Sequence, residues 1–214
     1  MLDVGCGTGH VCFAFSGRFR QIMGIDPSHP MLVEAESIAS AQKLTGFTFH
    51  QLKAEDLPGD LGLFQLITFG QSFHRTAQER MTDIVYRMLE PEGGLALFFA
   101  SVPWRGEAPW KEVMRRIVKK WTDSTIGGSF VPSQGIIGQS VFGTYENFRV
   151  QEEYVWSAPD LIGFLFSTSF CSRSILGSRA DAFARDLTTQ LLNVQPDGRF
   201  QDQLETTVVL ARKP

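Results

Sequence analysis

The string Leu2-Asp3-Val4-Gly5-Cys6-Gly7-Thr8-Gly9-His10 leaves this chain few ways to fold. A short apolar strand, Met1–Val4, enters a turn with three glycines, and His10–Ser16 reads as the helix that leaves it. Glycine is needed where the backbone takes positive φ or must approach a ligand closely. A helix start then presents free N–H groups. A second apolar strand, Gln21–Ile25, ends at Asp26. An acid in that place, roughly 20 residues beyond the glycines, can accept hydrogen bonds from both hydroxyls of a ribose. The glycine spacing is not the Gly-x-Gly-x-x-Gly of dinucleotide enzymes. Asp3, a carboxylate beside the turn, suits a cationic aminoalkyl ligand better than a pyrophosphate.

The segments that follow keep alternating between strand and helix. Pro30–Lys43 reads as a helix, Phe47–Leu52 as a strand, Phe64–Phe69 as a strand, Ala77–Leu89 as a helix and Gly94–Ala100 as a fully apolar strand. This alternation predicts an α/β fold, a doubly wound and mostly parallel sheet with helices on both faces. Continuous apolar strands such as Leu95–Phe99 suit burial on both sides. In the second half, Trp110, Val113, Met114, Ile117, Val118 and Trp121 recur at helical spacing over Ala108–Trp121, with Lys111, Arg115, Arg116, Lys119 and Lys120 opposite. Gly127–Gly143 has no clear period, Phe148–Trp156 reads as a strand, Asp160–Phe166 and Arg179–Leu192 as helices, and Gln203–Ala211 as a terminal strand.

Composition narrows the function. With 214 residues, 43% of them hydrophobic, the chain can build one compact domain with a core. The formal charge of −3 provides no basic footprint for nucleic acid. No apolar run approaches the roughly 20 residues of a membrane span, and no secretory leader is visible. Three cysteines, Cys6, Cys12 and Cys171, form neither a disulfide framework nor a zinc pattern, so a reducing cytoplasm is expected.

The glycine string resembles the first motif of the class I S-adenosylmethionine-dependent methyltransferases. Gly24-Ile25-Asp26-Pro27-Ser28 resembles their ribose-binding motif, and Ala54-Glu55-Asp56-Leu57-Pro58 the segment beside the adenine. Phe64-Gln65-Leu66-Ile67-Thr68-Phe69 resembles their fourth strand, and Leu89-Glu90-Pro91-Glu92-Gly93-Gly94 the turn before the fifth. The resemblance runs from residue 1 to about 100, and the terminal strand fits the family's antiparallel hairpin. It implies a Rossmann-like sheet with an antiparallel terminal strand, in a single domain 1–214 with 101–147 as a substrate-recognition insertion or lid. It also implies S-adenosylmethionine as cofactor and S-adenosylhomocysteine as product. Gly5, Cys6, Gly7 and Gly9 would line the methionine and ribose, and Asp3 would sit near the amino group. Asp26 would hold the ribose with Pro27 and Ser28 beside it, and Met31 would cover the adenine. Ala54 and Glu55 would meet the adenine edge, and Phe69, Gly70 and Gln71 would lie near the sulfonium. The expected partner is a small, apolar or aromatic molecule, with no nucleic acid, no membrane and a possible homodimer.

The chain departs from the family in three places. Lys53 stands where many relatives carry an acid for the adenine amine, and Gln65 replaces the usual strand-four Asp. Relatives carry one or two helices before the first strand, whereas this chain begins on it, which predicts a more open and weaker cofactor site. A degenerate domain that binds cofactor or a partner without catalysis is the alternative.

Methyl transfer needs an aligned acceptor and, for a hydroxyl, a general base. His74, after the fourth strand in Gly70-Gln71-Ser72-Phe73-His74-Arg75, is the candidate catalytic base, or else a packing residue of that loop. His10 reads as structural or cofactor-adjacent, His29 and His50 as structural, and no metal cluster emerges. The Trp110–Trp121 helix could lie on a membrane or partner, form a lid, or pack on a core. Phe73, Phe130 and Phe142 are candidates to line an apolar pocket among 18 phenylalanines.

Overall fold

The computed structural model describes residues 1–57, 61–126, 134–168 and 170–214, without the side chain of Gln134. Pro58 of the adenine-side motif, residues 127–133 of the expected insertion and the candidate aromatic Phe130 lie outside the described residues. The chain divides into two compact units. The first holds Met1–Ala100, Val131–Arg149 and Thr206–Pro214, and the second Ser101–Phe130 and Val150–Glu205.

Among the described residues the sheet has seven strands: β1 (Leu2–Val4), β2 (Ile22–Asp26), β3 (Phe47–Gln51), β4 (Phe64–Gly70), β5 (Leu89–Ala100), β6 (Glu146–Trp156) and β7 (Phe200–Arg212). Their order is β3-β2-β1-β4-β5-β7-β6. The first five pair in parallel, and β7 runs antiparallel to β5 from Gly94↔Arg212 to Ala100↔Thr206. This is the Rossmann-like α/β fold that the alternation predicts. β1 and β4 lie at the core of the sheet, with Leu2, Ile67 and Phe69 fully buried. The chain order switches sides between β1 and β4, and ligands of open α/β sheets bind at the carboxyl ends beside such a switch.

Helices α1 (His10–Ala14), α2 (His29–Ala41) and α3 (Gln78–Met88) belong to the first unit. Met81, Ile84, Val85 and Met88 of α3 are buried at i, i+3, i+4 and i+7, as the periodicity requires. In the second unit, α4 (Pro109–Thr122) packs its apolar stripe with α6 (Ala158–Phe166) and α8 (Ala180–Val194). Met114, Leu161, Phe183 and Leu187 have no exposure there, and each such side chain contributes about 1.5–3 kcal/mol by leaving water. The apolar face of α4 is therefore covered by its own unit, which removes the membrane-surface reading of that helix. Among the described residues no helix is long and apolar enough to cross a membrane.

Three expectations change. β5 begins at Leu89 rather than Gly94, because the pairing with β4 resumes across an irregularity between Phe64↔Leu89 and Leu66↔Gly94. Two helices lack a readable period, α5 (Gln134–Gln139) inside the Gly/Ser-rich stretch and α7 (Arg173–Leu176). Each is too short to show an amphipathic pattern. Lys111 is on the polar face of α4 by spacing, yet it is buried and ion-paired with Asp202. Asp202 also accepts a hydrogen bond from Trp156 Nε1, so the buried carboxylate is satisfied on both oxygens.

Candidate active site

The glycine turn is built where β1 ends. Gly5 and Cys6 donate their N–H groups to the Ile25 carbonyl, at 2.8 and 3.0 Å, which ties the turn to the end of β2. Gly5 has φ +70°, and a Cβ there would lie 2.6 Å from the Cβ of Ser72. Ser72 in turn donates its hydroxyl to the Val4 carbonyl. Ser72 therefore locks the loop after β4 against the turn, a role that sequence reasoning missed. The available signal was the small residue two places after Gly70. Gly7 is different: it has φ +54°, and a Cβ there would meet no atom within 4 Å, so its outer face is open.

Asp26 borders that open face. Its Oδ2 accepts the Gly7 N–H at 3.0 Å and its Oδ1 the Ser28 N–H at 2.8 Å. Two backbone donors thus set the carboxylate, while its half exposure leaves further lone pairs accessible. Gln51 Nε2 donates to the Pro27 carbonyl at 3.0 Å, steadying the residues after β2. An open glycine face beside an oriented carboxylate fits a ribose diol, and so fits the nucleoside part of S-adenosylmethionine. A phosphate cradle fits less well, since α1 has five residues and the Gly7 and Gly9 N–H groups already have acceptors.

The remaining expected residues separate into outward and inward groups. Pro27, Met31, Glu55, Gln71 and His74 are exposed, and Gly5, Gly70 and Ala54 half-buried. Ala54 and Glu55 lie in a 3-10 turn, Ala54–Asp56, after β3. Gln71 adopts φ +61° and donates its side-chain amide to the Ala100 carbonyl at 2.7 Å. Phe69 is fully buried and stacks edge-on against Phe73, 5.1 Å between ring centres, so Phe73 is core and only the backbone of Phe69 can face a ligand. Phe142 is likewise buried, against Tyr86. Gly9 and Cys6 are buried as well.

Asp3 lies deepest. It is 1% exposed, accepts the Thr68 hydroxyl at 2.7 Å and faces the Cys12 thiol at 3.5 Å. Burial pushes its carboxyl up to about 6, against the pull of the Thr68 and Cys12 hydrogen bonds. Its side chain thus knits β1, β4 and α1 together, and no polar oxygen is directed outward for an amino group. The Cys12 thiol is held well above the ordinary thiol range by its hydrogen bond with Cys6, then by burial and Asp3. Cys6, Cys12 and Cys171 are all free and buried. His74, in the 3-10 turn Phe73–Arg75, has its pKa lowered by burial and then by the charge of Arg75. Both causes favour the neutral imidazole.

Known proteins match the same stretch. Residues 1–93 match the methyltransferase domain family. This part of the chain is thus similar to a methyltransferase domain. The tRNA U34 carboxymethyltransferase of Hahella chejuensis (strain KCTC 2396) is 30% identical over 105 residues, 48% of this chain and 32% of that protein. The uncharacterized methyltransferase YcgJ of Bacillus subtilis (strain 168) is 32% identical over 98 residues, 45% of this chain and 39% of that protein. The matches thus cover between about a third and two fifths of these curated relatives' length. The crystal structure of YcgJ superposes with a TM-score of 0.57 at 19% identity, covering 99% of this chain and 90% of that one. Coclaurine N-methyltransferase, solved with N-methylheliamine and S-adenosylhomocysteine, gives 0.57 at 12% identity, covering 99% of this chain and 66% of that one. These likenesses extend the fold of the methyltransferase domain to nearly the whole chain, and the family's cofactor is S-adenosylmethionine.

Proposed function

We propose that this chain transfers a methyl group from S-adenosylmethionine to a small, apolar or aromatic acceptor. The observation that carries the reading is the Asp26 carboxylate, oriented by the Gly7 and Ser28 amides beside the open face of Gly7. The cofactor, when bound, supplies an electrophilic methyl group on a sulfonium. Asp26 would hold the ribose hydroxyls, with Met31 over the adenine and Ala54 and Glu55 at its edge. The backbone of Phe69 and Gly70, with Gln71, would line the sulfonium side. His74 would take the acceptor's proton as a neutral imidazole. The acidic balance of the chain supports a small acceptor over nucleic acid. Residues 101–147, which contain α4, are proposed as the acceptor-recognition segment.

Calorimetric titration with S-adenosylhomocysteine tests the site. Wild-type protein should give saturable heat, and Asp26→Ala should weaken binding more than tenfold. Absence of heat at millimolar ligand would remove the reading. Incubation with radiolabelled S-adenosylmethionine and pooled aromatic small molecules or total tRNA then separates the acceptor classes, and label on tRNA alone would replace the small-molecule proposal.

A further inference from the structure

β6 ends the sheet, with β7 on one side and no strand on the other among the described residues. Ten of its eleven residues, Glu146 to Val155, are exposed. Phe148, Val150, Tyr154 and Val155 keep 48%, 60%, 38% and 40% of their surface in water. A long strand with an open row of amides and carbonyls is a template for another strand. The inner edge is engaged: Gln151 Nε2 donates to Glu205 Oε2 of β7 at 3.1 Å.

We propose that β6 pairs antiparallel with β6 of a second copy of this chain, about a two-fold axis through Gln151. Self-complementarity of the strand selects this pairing. A two-fold axis perpendicular to a sheet must pass through a residue, because only then do opposed side chains share a face. Gln151 is the midpoint of Glu146–Trp156, so this centre gives every residue of the strand a partner. It sets Arg149 opposite Glu153 of the second copy, and Glu153 opposite its Arg149. It sets Phe148 opposite Tyr154, again twice. Opposite charges and aromatic pairs directly across an antiparallel ladder are stabilising, and like charges are destabilising.

The neighbouring centres are worse. An axis through Glu152 opposes two carboxylates, and one through Arg149 opposes two guanidinium groups. An axis through Val150 puts Arg149 against Gln151, without its carboxylate partner. The charge order therefore selects one register for a self-pair, as sheet register is selected wherever side-chain patterns differ between registers. The pairing does not depend on the methyl-transfer reading.

The full chain tests it by light scattering after size exclusion and by sedimentation across the micromolar range. A particle of twice 23.9 kDa is expected. Arg149→Glu and Glu153→Arg should each raise the dimer dissociation constant at least tenfold, with unchanged circular dichroism because both positions are exposed. Mixed in equal amounts, the two variants should re-form a dimer, since each strand then carries the charges its partner needs. The double variant should dimerise alone. A wild-type monomer at high micromolar concentration would overturn the proposal, as would a dimer indifferent to Arg149→Glu or a mixture that stays monomeric.

Discussion

The two compact units take their order from opposite ranges of the sequence. In the first, the carboxylate at the candidate site is set by groups close in the chain, Ser28 two positions from Asp26 and Gly7 nineteen. In the second, α4 is held by partners far apart in the chain, on β7 and α8. Lys111 meets Asp202, Trp110 meets Phe200, and Arg116 meets Gln190. The match to the methyltransferase family ends at residue 93, before the second unit begins. A ligand site can be specified by a local motif, whereas a helical core is specified by which distant faces happen to fit.

On that contrast, substitutions in the second unit should act on folding, and those at the turn on binding. The largest effect is expected from Asp202→Ala, which strands the buried Lys111 ammonium and should cost about 3–5 kcal/mol in denaturant unfolding. A loss below about 1 kcal/mol would mean the pair is not desolvated. Next comes Asp3, the buried acid of the first unit. Its folded pKa of about 6 lies above the ordinary 3.8, so the unfolded chain ionises first as pH rises. Its contribution to stability is complete below pH 4 and is lost by pH 6, about 3 kcal/mol over the window. Asp3→Asn should flatten that part of the stability curve, and an unchanged slope would place the titration elsewhere.

Asp26→Ala should cost about 2 kcal/mol in cofactor binding, and about 1–3 kcal/mol in unfolding because the Gly7 and Ser28 amides lose their acceptor. An unfolding loss with no loss of binding would make Asp26 a structural residue and collapse the contrast. His74→Gln sharpens it from the chemical side. Since His74 titrates below its ordinary range, wild-type turnover should rise with pH through a region under about 6.5 and level off by neutrality. The variant should lose that acidic limb, with little change in cofactor affinity. The smallest effect belongs to Lys120→Ala. Its partner Asp186 lies across the second unit, but the lysine is 60% exposed, so thermal unfolding should change by under about 1 kcal/mol.

Much of the first unit is legible from residue order. The strands up to β5, the apolar face of α3 and the outward placement of Asp26 follow from periodicity and glycine chemistry. The same holds for the stripe of α4. What escaped has a common cause. Ser72 against Gly5 and Thr68 on Asp3 are contacts across neighbouring strands, separated by more than sixty residues. Asp3 illustrates the limit well. Its position beside the turn suggests a ligand contact, but strand register turns its side chain inward, between Thr68 and Cys12.

Sequence alone therefore determined the strand–turn–helix at the amino end, the need for glycine at Gly5 and Gly7, and the likeness of that stretch to a methyltransferase domain. These depend on backbone sterics and on side chains a few residues apart. Tertiary structure alone decided that Lys111 is buried with a partner 91 positions away, that Asp3 faces the core, and that β6 is left as a sheet edge. Each of these depends on which distant surface arrives opposite. Residue order constrains that only through the packing of the whole chain.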